Sequence, residues 1–242
     1  MLAEAPRPLT SEMMALRIFS PFAYPLPRMA RIVPVVMGEA DRLSASFPLV
    51  WRRTATGAEL VVLRTLMEDG TGFAPGMARA LALLPLLLQA YPLTLRPDGG
   101  ADAAPGPRLM IDTAVADEPS DAGAPIATVE GRMSRGAELR IRALQLFERD
   151  LARTRDLSNA LARRGLLEPW PLAFDLGGGR RCDIQGLLVV PPASFDTPAF
   201  GPVMEEFGVA AAKLIGLHRL SLFRTGQLLA MARAASAKVV AA

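Results

Sequence analysis

"FPLVWRRTATGAELVVL", Phe47–Leu63, decides the fold. Two apolar, β-rich runs flank a short loop carrying Thr54, Thr56 and Gly57, which is the pattern of a β-hairpin. Its opening aromatic–Pro–Leu returns at Tyr24–Leu26, Tyr91–Leu93 and Trp170–Leu172, although aromatic residues make up only 6% of the 242. A proline at the first position of a strand costs no ladder hydrogen bond and fixes φ. It also biases the preceding aromatic toward extended geometry. The four copies therefore read as strand starts. The rival reading is an aromatic partner or ligand surface, for a peptide or lipid, built from Phe47, Trp51, Tyr91 and Trp170.

Further strands and turns extend the pattern. "RIVPVV" reads as a short strand, with Pro34 placing it at a sheet edge or strand start. "LMIDTAV" and "IATVEG" read as a second hairpin across an acidic turn, and "WPLAFDLGGGRRCDIQGLLVV" as a third, turning through Gly177–Gly179. A long helix is expected from about Ser134 to Arg164. Its apolar seam is Leu139, Ala143, Phe147, Leu151, Thr154, Leu157 and Leu161, spaced by threes and fours. Residues 202–235 read as interrupted helix, with breaks expected among Gly208, Gly216 and Gly226. The fold class is α+β: antiparallel β-hairpins packed against a long amphipathic helix and C-terminal helices. One domain over 1–242 is expected, with a two-lobed variant joined by the Pro/Gly/Asp-rich linker near 97–108.

Composition narrows the chemistry. At 51% hydrophobic and 21% charged, the chain can bury a sizeable core. A net charge of +3 is a thin basis for nucleic-acid binding. One cysteine and one histidine exclude an internal disulfide and Cys- or His-pair metal sites. No cofactor or metal is expected. The longest apolar run, "ALALLPLLLQAYPLTL", is broken by Pro85, Gln89 and Pro92, so no membrane span is expected. The N-terminus lacks a leader pattern, which leads to an expectation of a cytoplasmic protein; export by a dedicated secretion system stays open.

Candidate reactive groups each have a plainer reading. His218 has no carboxylate at helical spacing to orient it as a base, and reads as structural. Cys182, beside Arg180 and Arg181, reads as a small apolar strand residue rather than a nucleophile. "GGGRR" lacks a phosphate-loop ending and reads as a hairpin turn. Asp112, Asp117, Glu118 and Asp121 lack Ca²⁺-loop spacing and read as a solvated loop. The arginines at 135, 140, 142, 149, 153, 155, 163 and 164 are interleaved with acids and read as a solvated helix face.

Several stretches together resemble the bacterial SapC family. "IVPVVMGEADRLSASFPLVW" is similar to its N-terminal signature: a Val-Pro strand, an acidic residue, then aromatic–Pro–aliphatic. "MARALALLPLLLQAYPLTL", "LMIDTAVADEPSDAGAPIATVEG", "LLEPWPLAFDLGGGRRCDIQGLLVV" and "FGVAAAKLIGLHRLSLFRTGQLL" resemble the later segments, in order, from about Leu9 to Leu229. The resemblance implies an association with the bacterial envelope or surface layer and supplies no reaction or catalytic residues. The expected function is thus a non-catalytic binding or assembly role with a protein or peptide partner, and a homo-oligomer is left open. The alternatives are an accessory protein or enzyme of peptide or small-molecule modification, using a pocket between hairpins and helices, and a nucleic-acid-binding protein.

Overall fold

Prolines punctuate the first thirty residues, and the chain there makes only short elements: strands β1 (Pro6–Pro8) and β2 (Arg17–Ile18) and helix α1 (Pro25–Met29). Strand β3 (Ile32–Pro34), helix α2 (Ala40–Ser44), and strands β4 (Leu49–Thr54) and β5 (Gly57–Leu63) follow. Next come α3 (Leu86–Ala90), β6 (Leu93–Leu95), β7 (Leu109–Asp112), β8 (Ala124–Pro125) and the long α4 (Arg135–Arg163). The chain closes with β9 (Glu168–Pro169), β10 (Leu172–Gly177), β11 (Arg180–Ile184) and β12 (Leu187–Val189). Helices α5 (Phe200–Phe207), α6 (Val209–Ser221) and α7 (Arg224–Val240) complete it. The computed structural model describes residues 2–70, 80–96, 109–114, 116–117 and 122–240, with side chains as far as Ala237. The linker expected near 97–108 lies outside the described residues.

The fold is α+β, and its paired strands are antiparallel. It has two compact units, Met1–Met29 with Leu84–Glu148, and Ala30–Leu83 with Arg149–Ala242. In the first, β1, β7 and β6 form a three-stranded sheet and β2 pairs with β8. Leu9, Ile18, Leu93, Ile111, Ile126, Ala137 and Leu144 fill its core. The hairpin expected between "LMIDTAV" and "IATVEG" does not form: residues 126–131 make no strand, only an isolated bridge of Ala127 with Met133, and the strands on either side have other partners. β7 is bordered by β1 and β6, while β8 takes β2.

The second unit holds a five-stranded sheet in the order β3-β5-β4-β12-β9. The 47–63 hairpin is its centre, pairing Leu49 with Val62 through to Thr54 with Gly57. Leu49, Val50 and Trp51 on β4 and Leu60–Leu63 on β5 are all buried, so helices and loops cover both faces here. β3 is an edge strand, as Pro34 requires. β10 and β11 form the third hairpin, turning through glycines with φ of 82°, 61° and 75°.

Three of the four aromatic–Pro–Leu copies open strands, at Leu49, Leu93 and Leu172. The Tyr24 copy instead opens α1, where Pro25 occupies a first-turn position whose N–H would be unpaired anyway. The expected α4 seam also shifts in its first turns. Leu139 is 63% exposed, whereas Ala137, Arg140, Ala143, Leu144 and Phe147 are buried.

Of the three late glycines, only Gly208 interrupts the helices. It sits between α5 and α6 at φ 61°, ψ −143°, a region reserved for glycine. An added Cβ would meet nothing within 4 Å at either Gly208 or Gly216. Gly208→Ala should therefore cost about 1–3 kcal/mol through backbone strain alone. Gly216→Ala, in the exposed interior of α6, should stabilise by about 0.5–1 kcal/mol. Urea denaturation of the two variants checks the contrast in sign.

Candidate functional site

The single histidine is built into the central sheet. β12 runs beside β4 with Leu187 opposite Arg52 and Leu188 opposite Trp51, and continuing that register would set Val190 opposite Leu49. Here the His218 imidazole replaces a direct backbone bond. Its Nδ1 lies 2.6 Å from the Leu49 carbonyl, and its Nε2 accepts from the Val190 N–H at 3.1 Å. Those partners fix the neutral tautomer with the proton on Nδ1. One helical turn on, Ser221 Oγ accepts from the Leu49 N–H at 2.9 Å and donates to the His218 carbonyl at 2.7 Å. Arg219 donates to the Val190 carbonyl at 3.1 Å. Three side chains of α6 thus satisfy both backbone groups of Leu49 and both of Val190.

Trp51 packs edge-on against this ring, with centroids 4.8 Å apart. Its indole N–H donates to Ser158 Oγ at 3.0 Å, and Ser158 donates to the Thr154 carbonyl at 2.7 Å. Thr154 Oγ1 accepts from the Met37 N–H at 3.0 Å and donates to the Asp150 carbonyl at 2.6 Å. Each polar group in this core that is named here has a partner, the condition under which a buried network stabilises a fold.

Tyr91 is likewise engaged inside the first unit. Its hydroxyl donates to Asp112 at 2.8 Å, and its ring meets Tyr24 edge-on at 5.0 Å. Asp112 also accepts from the N–H groups of Glu4, Ala5 and Ala114 at 2.8, 3.0 and 3.2 Å. Burial pushes the Asp112 carboxyl up, but these donors together outweigh it and hold it below the usual carboxylate value. Burial, and then the Asp112 carboxylate, raise the Tyr91 phenol. Arg140 Nε donates to the Tyr91 carbonyl at 2.9 Å and the guanidinium also reaches the carbonyls of Gly136 and Phe19.

These contacts correct two sequence readings. Asp112 is a buried anchor for the N-terminal arm rather than part of a solvated loop. Arg140 is turned inward by carbonyls rather than lying on the solvated arginine face. Asp117 pairs with Arg28 at 2.6 Å; Glu118 and Asp121 lie outside the described residues.

Of the four aromatics considered as a partner surface, Phe47, Trp51 and Tyr91 are 1%, 0% and 1% exposed. Trp170 alone is partly exposed, and its backbone N–H donates to the Leu187 carbonyl at 2.7 Å. Cys182 faces Phe174 across the β10–β11 hairpin and is buried. Burial pushes its thiol up, which nearby Arg31 only partly offsets. The GGGRR stretch is the turn of that hairpin, and Arg180 pairs with Asp69 at 2.9 Å. Among the described residues, no group of three or more His, Cys, Asp or Glu is placed to hold a metal ion.

Two surface features were not visible as sites in the sequence. An open groove of about 410 Å³ lies among α2, α4 and α6, with Asp41, Arg149, Asp150, Arg153 and Lys213 on its walls. Residues from three distant stretches meet there, so no local motif announces it. The second is an exposed apolar line on α6 and the turn after it, Val209, Leu220 and Phe223. Val209 and Leu220 are eleven residues apart with Lys213 and Gly216 between them, so no apolar period announces the feature.

The α+β fold, with three strand-opening aromatic–Pro–Leu copies and helices closing the chain, matches the fold class read from the sequence. A family model described as SapC matches residues 13–197, more than half of the chain. The chain belongs to the SapC family. No curated protein and no solved structure matches it. No helix among the described residues is long and apolar enough to cross a membrane.

The imidazole carries a pH signature. Burial lowers its pKa from 6.5 to about 4, against the opposing pull of the Leu49 carbonyl. The folded value lies below the unfolded one, so the unfolded chain binds the proton more readily. Stability is full above pH 6.5 and falls as pH drops toward 4, by about 3 kcal/mol. The Asp112 contribution is lost only at lower pH, below the ordinary carboxylate range. Chemical denaturation at stepped pH should show this slope in the native protein, and a His218→Gln variant should be less stable at pH 7 and lack it.

Proposed function

We propose that this SapC-family chain is a non-catalytic binding or assembly protein linked to the bacterial envelope or surface layer. What supports the reading is the use made of its two most reactive side chains. The histidine is 0% exposed with both ring nitrogens occupied by backbone groups, and the thiol is buried. A general base needs reach to a substrate proton, and a nucleophilic cysteine needs an accessible thiolate. Meanwhile Val209, Leu220 and Phe223 stand in solvent, and exposed apolar surface is what a binding protein presents.

A second reading, an accessory protein or enzyme acting on a peptide or small molecule, draws on the charged groove beside α6. That groove is open and carries both signs of charge, whereas small-molecule sites are mostly enclosed and apolar. The binding role is the better supported.

Native mass spectrometry of protein purified from its own host tests the proposal. The expected spectrum retains the mass of a bound partner, and Cys182→Ala leaves it in place. Turnover of a metabolite that Cys182→Ala abolishes would replace the binding role with a catalytic one.

A further inference from the structure

One basic stretch of the chain coincides with exposed apolar side chains. Residues 208–242 hold Lys213, Arg219, Arg224, Arg233 and Lys238 and no Asp or Glu. The whole chain has 27 basic and 24 acidic residues; this stretch carries an excess of five, as residues 131–164 do, and the rest of the chain is acidic. The stretch lies beyond the residues matched by the family model, which end at 197.

Geometry places the two properties together. Val209, Lys213, Gly216 and Leu220 recur at spacings of four, three and four, so they share one face of α6 over about 16 Å. Val209 and Leu220 are 84% and 67% exposed. Phe223 follows in the turn between α6 and α7 and is 84% exposed, and the exposed Arg224 is its neighbour. Lys213 shares this face while bridging to Asp41 at 2.5 Å, and Arg219 bonds only a backbone carbonyl and keeps its charge unopposed.

From this we infer that the α6–α7 shoulder docks on an anionic lipid surface, with Leu220 and Phe223 in the acyl boundary and the exposed Arg224 at the headgroups. Exposed apolar side chains beside cations, as Leu220 and Phe223 beside Arg224, suit the boundary between anionic headgroups and acyl chains. Charge decides between occupants. A second copy would bring the same cationic stretch against itself, whereas anionic headgroups neutralise it. This inference rests on the binding role proposed above and names its partner.

The test is co-sedimentation with vesicles of equal phosphatidylglycerol and phosphatidylcholine, compared with phosphatidylcholine alone. The native chain should bind the anionic vesicles, and binding should weaken as salt is raised. The Leu220→Ser/Phe223→Ser variant should bind about ten-fold more weakly and Arg224→Gln about five-fold more weakly. Both variants change exposed side chains, so unchanged urea denaturation confirms their fold. Absence of binding to anionic vesicles at low salt, or equal binding by native chain and variants, overturns the lipid inference. Loss of binding accompanied by dimerisation through the same residues in lipid-free buffer overturns it in favour of a second copy. A protein partner retained in the host-purified sample would leave the binding role standing in either case.

Discussion

The second unit depends on a histidine ring set between two strands where their ladder ends. β4 and β12 are paired at Trp51 and Leu188, and the next rung passes through the His218 imidazole. Without it, a buried carbonyl and a buried N–H would both lack partners, each costing roughly 1–3 kcal/mol. α6 is tied to the sheet by the same contacts, since Ser221 and Arg219 take the other backbone groups of Leu49 and Val190. The helix is held by polar bonds of fixed geometry as well as by the burial of Leu214 and Ile215.

The same logic organises the first unit with different chemistry. There a carboxylate, Asp112, gathers three backbone N–H groups and a tyrosine hydroxyl, and so fixes the N-terminal arm to β7. Arg140 does the reciprocal work for carbonyls. Both charges are buried yet have partners, which is what permits them inside a fold. The aromatic–Pro–Leu copies in both units meet these anchors. Phe47 leads into Leu49, and Tyr91 is the residue that Asp112 and Arg140 both bond.

Hairpins built from neighbouring residues were legible because alternation, glycine turns and strand-opening prolines are local signals. The 47–63 and 172–184 hairpins and the span of α4 follow from them. What escaped reading was set by distant partners. β7 pairs with a proline-flanked strand about a hundred residues earlier, and no period in "PRP" announces a strand. Asp112 reads as part of an acidic loop until three donors from elsewhere, on Glu4, Ala5 and Tyr91, surround it. Leu139 and Arg140 are adjacent on one helix, and only the neighbours of each decide that the arginine is inside and the leucine outside. His218 was readable as structural from its lack of a carboxylate partner, but its place in the ladder depends on residues 28 and 169 positions away. Likewise the groove and the α6–α7 shoulder are products of tertiary arrangement.

Burying the only histidine removes the commonest general base from solvent and spends it on architecture. The proposed binding role therefore looks to the outer surface of the C-terminal helices, where Val209, Leu220 and Phe223 are exposed. The most direct measurement of this account is nitrogen-15 NMR of the histidine ring, which the presence of one histidine makes unambiguous. The account predicts a neutral ring protonated on Nδ1 at neutral pH, titrating with a midpoint near 4. A midpoint near the ordinary 6.5, with a freely exchanging ring proton, would contradict it.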